Sequence, residues 1–395
     1  MLLKPALKKN EHFYIKTLYK TKYWNGKNME VKVLINSPQK DSDIIYATGY
    51  SCLDPIAVID VDNEVYGFFP STEIGRAVKS SYCKECLNLN QAGAKTSHPE
   101  GAAVLNWLKK HDINKISVPY TFPVAEADFL RNNNIEVNPV RCLYPNRNIK
   151  REDEIEKIRE VSKKNVEIMD CVKTLLAECS VNADGELVNR GAVLTSEDLQ
   201  NFIFEAFLHR GLQADSVIAA SGVQACDPHE AGHGAIHEKE AIIVDIFPSD
   251  RSNHYYSDMT RTFCKHKAPQ ALQEIYDAVK EIQIQTLSKV KNGADGKIIH
   301  KEVQAFFVNK GFQTCREGSE LYGFFHGTGH GVGLDCHEEP RISSGGSILH
   351  TGELVTVEPG LYYPERGAVR IEDLVVVRDD CAEVLTEYEK QLVID

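Results

Sequence analysis

The chain has 395 residues, of which 42% are hydrophobic and 26% charged, and a formal net charge of −12. Those are the proportions of a globular protein of two or three domains, and they exclude disorder, collagen and coiled coil for the chain as a whole. The acidic balance argues against nucleic acid or an anionic membrane as partner, because binding to either starts from a basic surface.

No apolar run approaches the roughly 18–20 residues that span a bilayer. The opening MLLKPALKKNEHFYIKTLYK breaks its apolar residues with lysines and lacks the apolar centre of a secretory signal. The eleven cysteines are odd in number and scattered, which suits reduced thiols in a cytoplasmic protein rather than a disulfide framework. Cys83 and Cys86 form a C-x-x-C, but no second pair follows to complete a zinc knuckle. They read as two ordinary residues on a helix turn.

Up to about residue 145 the chain alternates strand-like and helical stretches. DIIYATGY, PIAVIDVDNEVYGFF, KISVPY and IEVNPV read as strands, with a hairpin turn at Asp62-Asn63. GAAVLNWLKKH and VAEADFLRNNN have helical spacing. This alternation predicts an α/β unit with parallel strand pairs. Pro145 and its asparagine neighbours mark a linker. A long amphipathic helix follows, with Ile155, Ile158, Val161, Val166 and Ile168 near helical spacing. The reading is therefore an N-terminal α/β domain over 1–148 and a second, mixed α/β (α+β) domain over 149–395. Further helices are expected around 196–211 and 268–292. The rest of the second domain is rich in strands and carries the chemistry.

Four acids interrupt runs that otherwise read as buried strands: Asp245 in AIIVDIF, Asp258 in YYSDMTRTF, Glu358 in LVTVEPGLY and Glu372 in VRIEDLVVV. An isolated carboxylate in such a place costs several kcal/mol, so it must be paired, protonated or metal-bound. If the strands flanking PSDRSNH pair about Arg251 and Ser252, Asp245 faces Asp258. If those flanking Pro364-Glu365-Arg366-Gly367 pair about Glu365, Glu358 faces Glu372. Like charges opposed on a hairpin repel, and two such pairs on apolar strands ask for cations between them. Arg261 and Arg370 are the only basic residues on these strands, too few for four acids. The glycine-rich HGTGHGVGLDCHEEP adds His326, His330 and His337. In a strand His326, Thr328 and His330 would share a face, and His337 would leave it unless the chain bends near Gly333. One imidazole with four carboxylates is an oxygen-rich set of five donors, which suits two divalent ions better than one structural zinc. Paired metals about 3.5–4 Å apart are a known hydrolytic device.

These residues resemble the M24 metallopeptidases, the pita-bread family of methionine aminopeptidase, aminopeptidase P and prolidase. The resemblance rests on the order Asp, Asp, His, Glu, Glu and on SDMTRTF, GTGHGVGLDCHEEP, TVEPGLY and RIED, from about residue 150 to the end. It implies a catalytic pita-bread domain preceded by a smaller creatinase/prolidase-like domain. It implies Asp245, Asp258, His330, Glu358 and Glu372 as ligands of two divalent ions, with Asp258 and Glu372 bridging. The donor types favour Mn²⁺ or Co²⁺, with Zn²⁺ also compatible. His229 in DPHEAGHG matches the family's substrate-side histidine, with His233 and His237 as competitors. His326 and His337 match histidines near the substrate. Arg370 fits the proline-specific branch.

The chain departs from the family in two places. Twelve residues separate Asp245 from Asp258, more than is usual, and Phe247 stands where the family has glycine. The function implied is hydrolysis of the Xaa-Pro bond at the N-terminus of peptides with proline second, by a cytoplasmic homodimer. Glu358 would carry a proton to the leaving nitrogen, and His229 or His337 would donate to the developing oxyanion. Three alternatives share the fold: a methionine aminopeptidase-like enzyme, which usually lacks the large N-terminal domain and the RIED ending; a metal-free creatinase-like hydrolase, which has lost ligands that this chain retains; and a non-enzymatic binding protein.

Overall fold

A computed structural model describes residues 30–92, 96–318 and 320–395. The N-terminal stretch considered above for a secretory signal lies outside the described residues. The chain divides into two compact units, one ending at Leu143 and the other beginning at Tyr144.

The first unit comprises β1 (Val31–Asn36), α1 (Ser42–Thr48), β2 (Ile56–Val61), β3 (Glu64–Phe69), α2 (Ile74–Ser80), β4 (Glu85–Asn88), α3 (Leu89–Ala92), α4 (Pro99–Lys110), β5 (Lys115–Pro119), α5 (Val124–Asn132) and β6 (Glu136–Val140). Its six strands form one sheet in the order β4-β3-β2-β1-β5-β6. The β1–β2 and β2–β3 pairs are antiparallel, whereas β3–β4, β1–β5 and β5–β6 are parallel. Asp62 and Asn63, at φ 51° and 68°, make the two-residue turn between β2 and β3. Trp107, Leu108, Val104 and Leu130 pack on the sheet.

Two expectations fail in this unit. DIIYAT is helix α1, not a strand: the Asp41 carboxylate accepts from the Asp43 amide, and Gly49 closes the helix at φ 62°. These end signals outweigh a short apolar cluster that periodicity alone cannot classify. Cys83 and Cys86 do not share a helix turn. Cys83 lies beyond the end of α2, and Cys86 is on β4.

The second unit opens with α6 (Glu152–Glu178), whose Ile155, Ile158, Val161, Ile168, Met169, Val172 and Leu176 are fully buried along one face. Next come β7 (Ser180–Val181), β8 (Leu187–Asn189), β9 (Ala192–Val193), α7 (Ser196–His209), β10 (Leu212–Gln213), β11 (Ile218–Ser221), β12 (Ile242–Ile246), β13 (Ser249–Asp250), β14 (Met259–Lys265), α8 (Gln270–Leu287) and α9 (Gly296–Asn309). The unit closes with β15 (Cys315–Glu317), β16 (Glu320–Tyr322), β17 (Gly329–Gly331), β18 (Glu338–Ile342), β19 (Leu354–Val357), β20 (Gly360–Tyr363), β21 (Gly367–Arg370), β22 (Asp373–Val377), β23 (Ala382–Val384) and β24 (Val393–Ile394).

In the four-stranded sheet β11-β12-β14-β24, the five-stranded sheet β18-β17-β19-β22-β23 and the ribbon β20-β21, Asp245 lies on β12 and His330 on β17, while Asp258, Glu358 and Glu372 stand at the ends of strands. Helices α6 and α7 pack on the β12–β14 region, and α8 and α9 pack with Leu361, Val369 and Ile371. Helix α9 escapes the sequence reading; Asp295 caps it, its carboxylate accepting from the Lys297 amide at 2.8 Å. Among the described residues no disulfide links any of the eleven cysteines, and no helix is long and apolar enough to cross a membrane.

Candidate metal centre

Two long hairpins bring the acids together. In the second, β20 pairs with β21 in the register Gly360↔Arg370, and β19 pairs with β22 in the register Val357↔Asp373. Both pairings turn about Glu365, so Glu358 and Glu372 sit opposite one another where the hairpin passes from one sheet to the next. Gly367 takes φ 101° after the three-residue loop. The first hairpin departs from expectation. Asp245 faces Thr260, not Asp258. A Ser249↔Tyr256 bridge holds the turn, and β13 pairs away with β10, which centres the hairpin between Ser252 and Asn253. The offset is two residues, so Asp258 keeps the same face as Asp245 and becomes its diagonal neighbour.

Strand β17 holds His330 between β18 and β19, with a register break at His330/Gly331. A side chain at Gly329 would strike the Thr356 carbonyl, and one at Gly331 would strike the Glu339 backbone; glycine is what lets β17 lie this close. The chain reverses after Gly333 and returns along β18. His337 is thereby set beside His330, with ring centroids 4.3 Å apart.

Donor atoms of Asp258, His330 and Glu372, all buried, lie within 4.8 Å of one another. His330 Nδ1 donates to the Gly331 carbonyl at 3.1 Å, which leaves the Nε2 lone pair facing Asp258 Oδ2 at 3.7 Å and Glu358 Oε1 at 3.5 Å. Burial holds this imidazole neutral, lowering its pKa to about 4. Burial, then the neighbouring acids, pushes the Asp258 and Glu372 carboxyls well above the ordinary carboxylate range; burial pushes Glu358 up to about 7. The two arginines of these strands form no ion pair with Asp258, Glu358 or Glu372. Arg261 pairs with Asp373 at 2.6 Å, fully buried. Arg370 pairs with Asp245 Oδ2 at 2.7 Å. Among the described residues no Lys or Arg forms an ion pair with Asp258, Glu358 or Glu372, and the buried Asp245 Oδ1 has no hydrogen-bond partner. A set of buried carboxylates with one neutral imidazole and too little positive charge is what a divalent cation fits.

The M24 metallopeptidase family model matches residues 156–379, more than half of the chain. The chain belongs to metallopeptidase family M24. Over 181 residues it is 34% identical to an Xaa-Pro dipeptidase of Pyrococcus furiosus, a match covering 45% of this chain and 49% of that protein. The alignment thus spans about half the length of that curated relative. The fold matches an Xaa-Pro dipeptidase from Bacillus anthracis with a TM-score of 0.78 at 23% identity, over 93% of this chain and 95% of that one. It also matches an X-Pro aminopeptidase from Thermotoga maritima with a TM-score of 0.77 at 20% identity, over 93% and 98%. The second unit is accordingly the pita-bread domain of an M24 protein, and a smaller α/β unit precedes it.

All nine residues singled out for the M24 site border one cavity of about 720 Å³: Asp245, Asp258, His330, Glu358 and Glu372 with His229, His326, His337 and Arg370. His229 reaches its wall, exposed just after the turn from β11, while His233 and His237 do not. His326 Nδ1 donates to the Gly327 carbonyl at 2.7 Å, so its Nε2 accepts from the Tyr362 hydroxyl at 2.9 Å; Arg370 Nη1 in turn donates to that hydroxyl at 3.0 Å. Burial, then Arg370, lowers the His326 pKa to about 3, so this ring stays neutral. Phe247, the residue that departs from the family, lines the same wall.

The sequence reading passed over Tyr362, Arg341 and Cys336. The contact of Tyr362 with His326 follows only from the folded chain. Arg341 and Cys336 were legible in CHEEPRI, the segment that holds His337. His300, outside the motifs above, is buried and contacts the Thr328 hydroxyl at 2.9 Å through Nδ1.

Proposed function

We propose that this protein is a metal-dependent peptidase that cleaves the bond between an N-terminal residue and a following proline. The observation that carries the reading is the buried donor group of Asp258, His330 and Glu372, under-neutralised by the protein itself, in a chain of family M24. Asp245, Asp258, His330, Glu358 and Glu372 would hold two divalent ions, which by donor type are Mn²⁺ or Co²⁺. Ions bound there supply a Lewis acid and a water acidic enough to be nucleophilic at neutral pH.

The remaining chemistry falls to side chains. Glu358, at the cavity wall and paired with no Lys or Arg among the described residues, accepts a proton and delivers it to the departing nitrogen. In an Xaa-Pro bond that nitrogen carries no hydrogen, so a donor must be placed on it. His229 and His337, both exposed to the cavity, donate to the oxygen that gains charge. Arg370 stays on Asp245 and Tyr362, which keeps the latter turned toward His326. Arg341 lines the wall, and among the described residues its ion pairing is a loose 3.6 Å contact to Glu339. It offers a guanidinium to a free carboxylate, which favours short peptides. Reduced, scattered thiols suit a cytoplasmic place of work.

The test is hydrolysis of Xaa-Pro dipeptides, their C-terminal amides and longer Xaa-Pro peptides by protein loaded with Mn²⁺, Co²⁺ or Zn²⁺. Preferential cleavage of the dipeptides is expected. Faster removal of methionine from peptides without proline would assign the chain to methionine aminopeptidase chemistry, and inactivity with every metal would leave the binding-protein alternative.

A further inference from the structure

Cys336 lies in the turn between β17 and β18 and lines the same cavity, half-buried. Its Sγ is 3.5 Å from Asp258 Oδ2, to which the thiol donates. Asp258 is one of the three residues whose donor atoms cluster within 4.8 Å, so the sulfur adjoins a donor group established without it. The chain reversal that sets His337 beside His330 delivers Cys336 to the neighbouring Asp258. A metal–sulfur bond of about 2.3 Å and a metal–oxygen bond of about 2.1 Å put neighbouring donors on one ion near this same separation.

The geometry points to Cys336 as a further ligand of the metal centre, a soft donor that draws an otherwise oxygen-rich site toward thiophilic ions such as Zn²⁺ and Cd²⁺. The inference rests on the metal-centre reading above and specifies its selectivity. On ligation the S–H bond gives way to a sulfur–metal bond and the proton passes to solvent. Carboxylates and one imidazole alone favour harder ions, whereas a thiolate raises affinity for softer ones.

The experiment uses the full chain loaded with Co²⁺, beside Cys336→Ser and Cys336→Ala, with near-ultraviolet circular dichroism of the metal-free proteins confirming the fold. The wild type should show visible ligand-field bands together with a thiolate-to-cobalt charge-transfer band in the near ultraviolet. Both variants should keep the former and lose the latter. Their preference for Cd²⁺ over Mn²⁺, read by competition calorimetry, should fall by roughly 10-fold or more, the scale on which losing one group around a metal lowers its affinity. Ligand-field bands without charge transfer in the wild type would overturn the sulfur ligand and leave the metal centre standing. A charge-transfer band that persists in both variants would assign it to another cysteine and overturn the role of Cys336. Failure to bind Co²⁺ at all would sink the metal centre and this inference together.

Discussion

Arg370 limits how much positive charge the protein itself brings to its site. One guanidinium serves Asp245 and the Tyr362 hydroxyl, and none is left for Asp258 or Glu372. The acids opposing each other there therefore cost stability until a cation arrives. Asp258→Asn removes one of them at constant shape. Metal-free, this variant should melt at or above the wild type, by up to about 1 kcal/mol, while metal stoichiometry falls and turnover is lost. Scanning calorimetry in chelator and elemental analysis check the two halves. A metal-free variant several degrees less stable would mean that the protein alone already satisfies Asp258. His337 differs from His330 in its exposure and in its place on a turn rather than a strand. His337→Ala should lower turnover about 100-fold or more, the scale of losing one oxyanion donor, with metal content at the wild-type level. Loss of metal from that variant would make His337 a ligand.

The elements place these residues through close backbone approach and register. Gly329→Ala would force a methyl group into the Thr356 carbonyl. Overpacking of this kind costs about 1–3 kcal/mol, and because β17 carries His330, metal affinity should fall with stability. Urea unfolding and metal titration of the variant measure both; an unchanged affinity would show that β17 does not fix His330. Much of this was legible in the sequence. The opposition of Glu358 and Glu372 could be read because a three-residue loop leaves one symmetric pairing. The diagonal placement of Asp245 and Asp258 could not, because β13 pairs with β10, a strand whose neighbour no local pattern names. Helix α1 was misread because seven residues hold too few periods to separate helix from strand, and its identity lay in Asp41 and Gly49 on either side. Tyr362 was missed because its contact with His326, 36 residues away, exists only in the folded chain, although the hairpin that brings it near Arg370 was itself readable.

At the scale of the whole molecule, a ligand that binds only the folded chain stabilises it by mass action, by about 2.7 kcal/mol at one hundred times its Kd. Saturating Mn²⁺ or Co²⁺ should therefore raise the melting temperature, and chelator should return it; a melting curve indifferent to both ions would argue against a site for either. A homodimer is expected from the family resemblance, and sedimentation velocity at micromolar concentration checks it, an active monomer being the contrary result. The hairpin from Leu354 to Val377 keeps one register while crossing between two sheets, and so it works as a length gauge. Deleting one residue between Tyr363 and Gly367 would send Glu358 and Glu372 to opposite faces. The turn around Ser252, held by its own bridge, can absorb residues two at a time without changing the face that Asp245 and Asp258 share. Insertions and deletions in descendants of this chain should accordingly accumulate at the Ser252 turn and be purged from the one around Glu365.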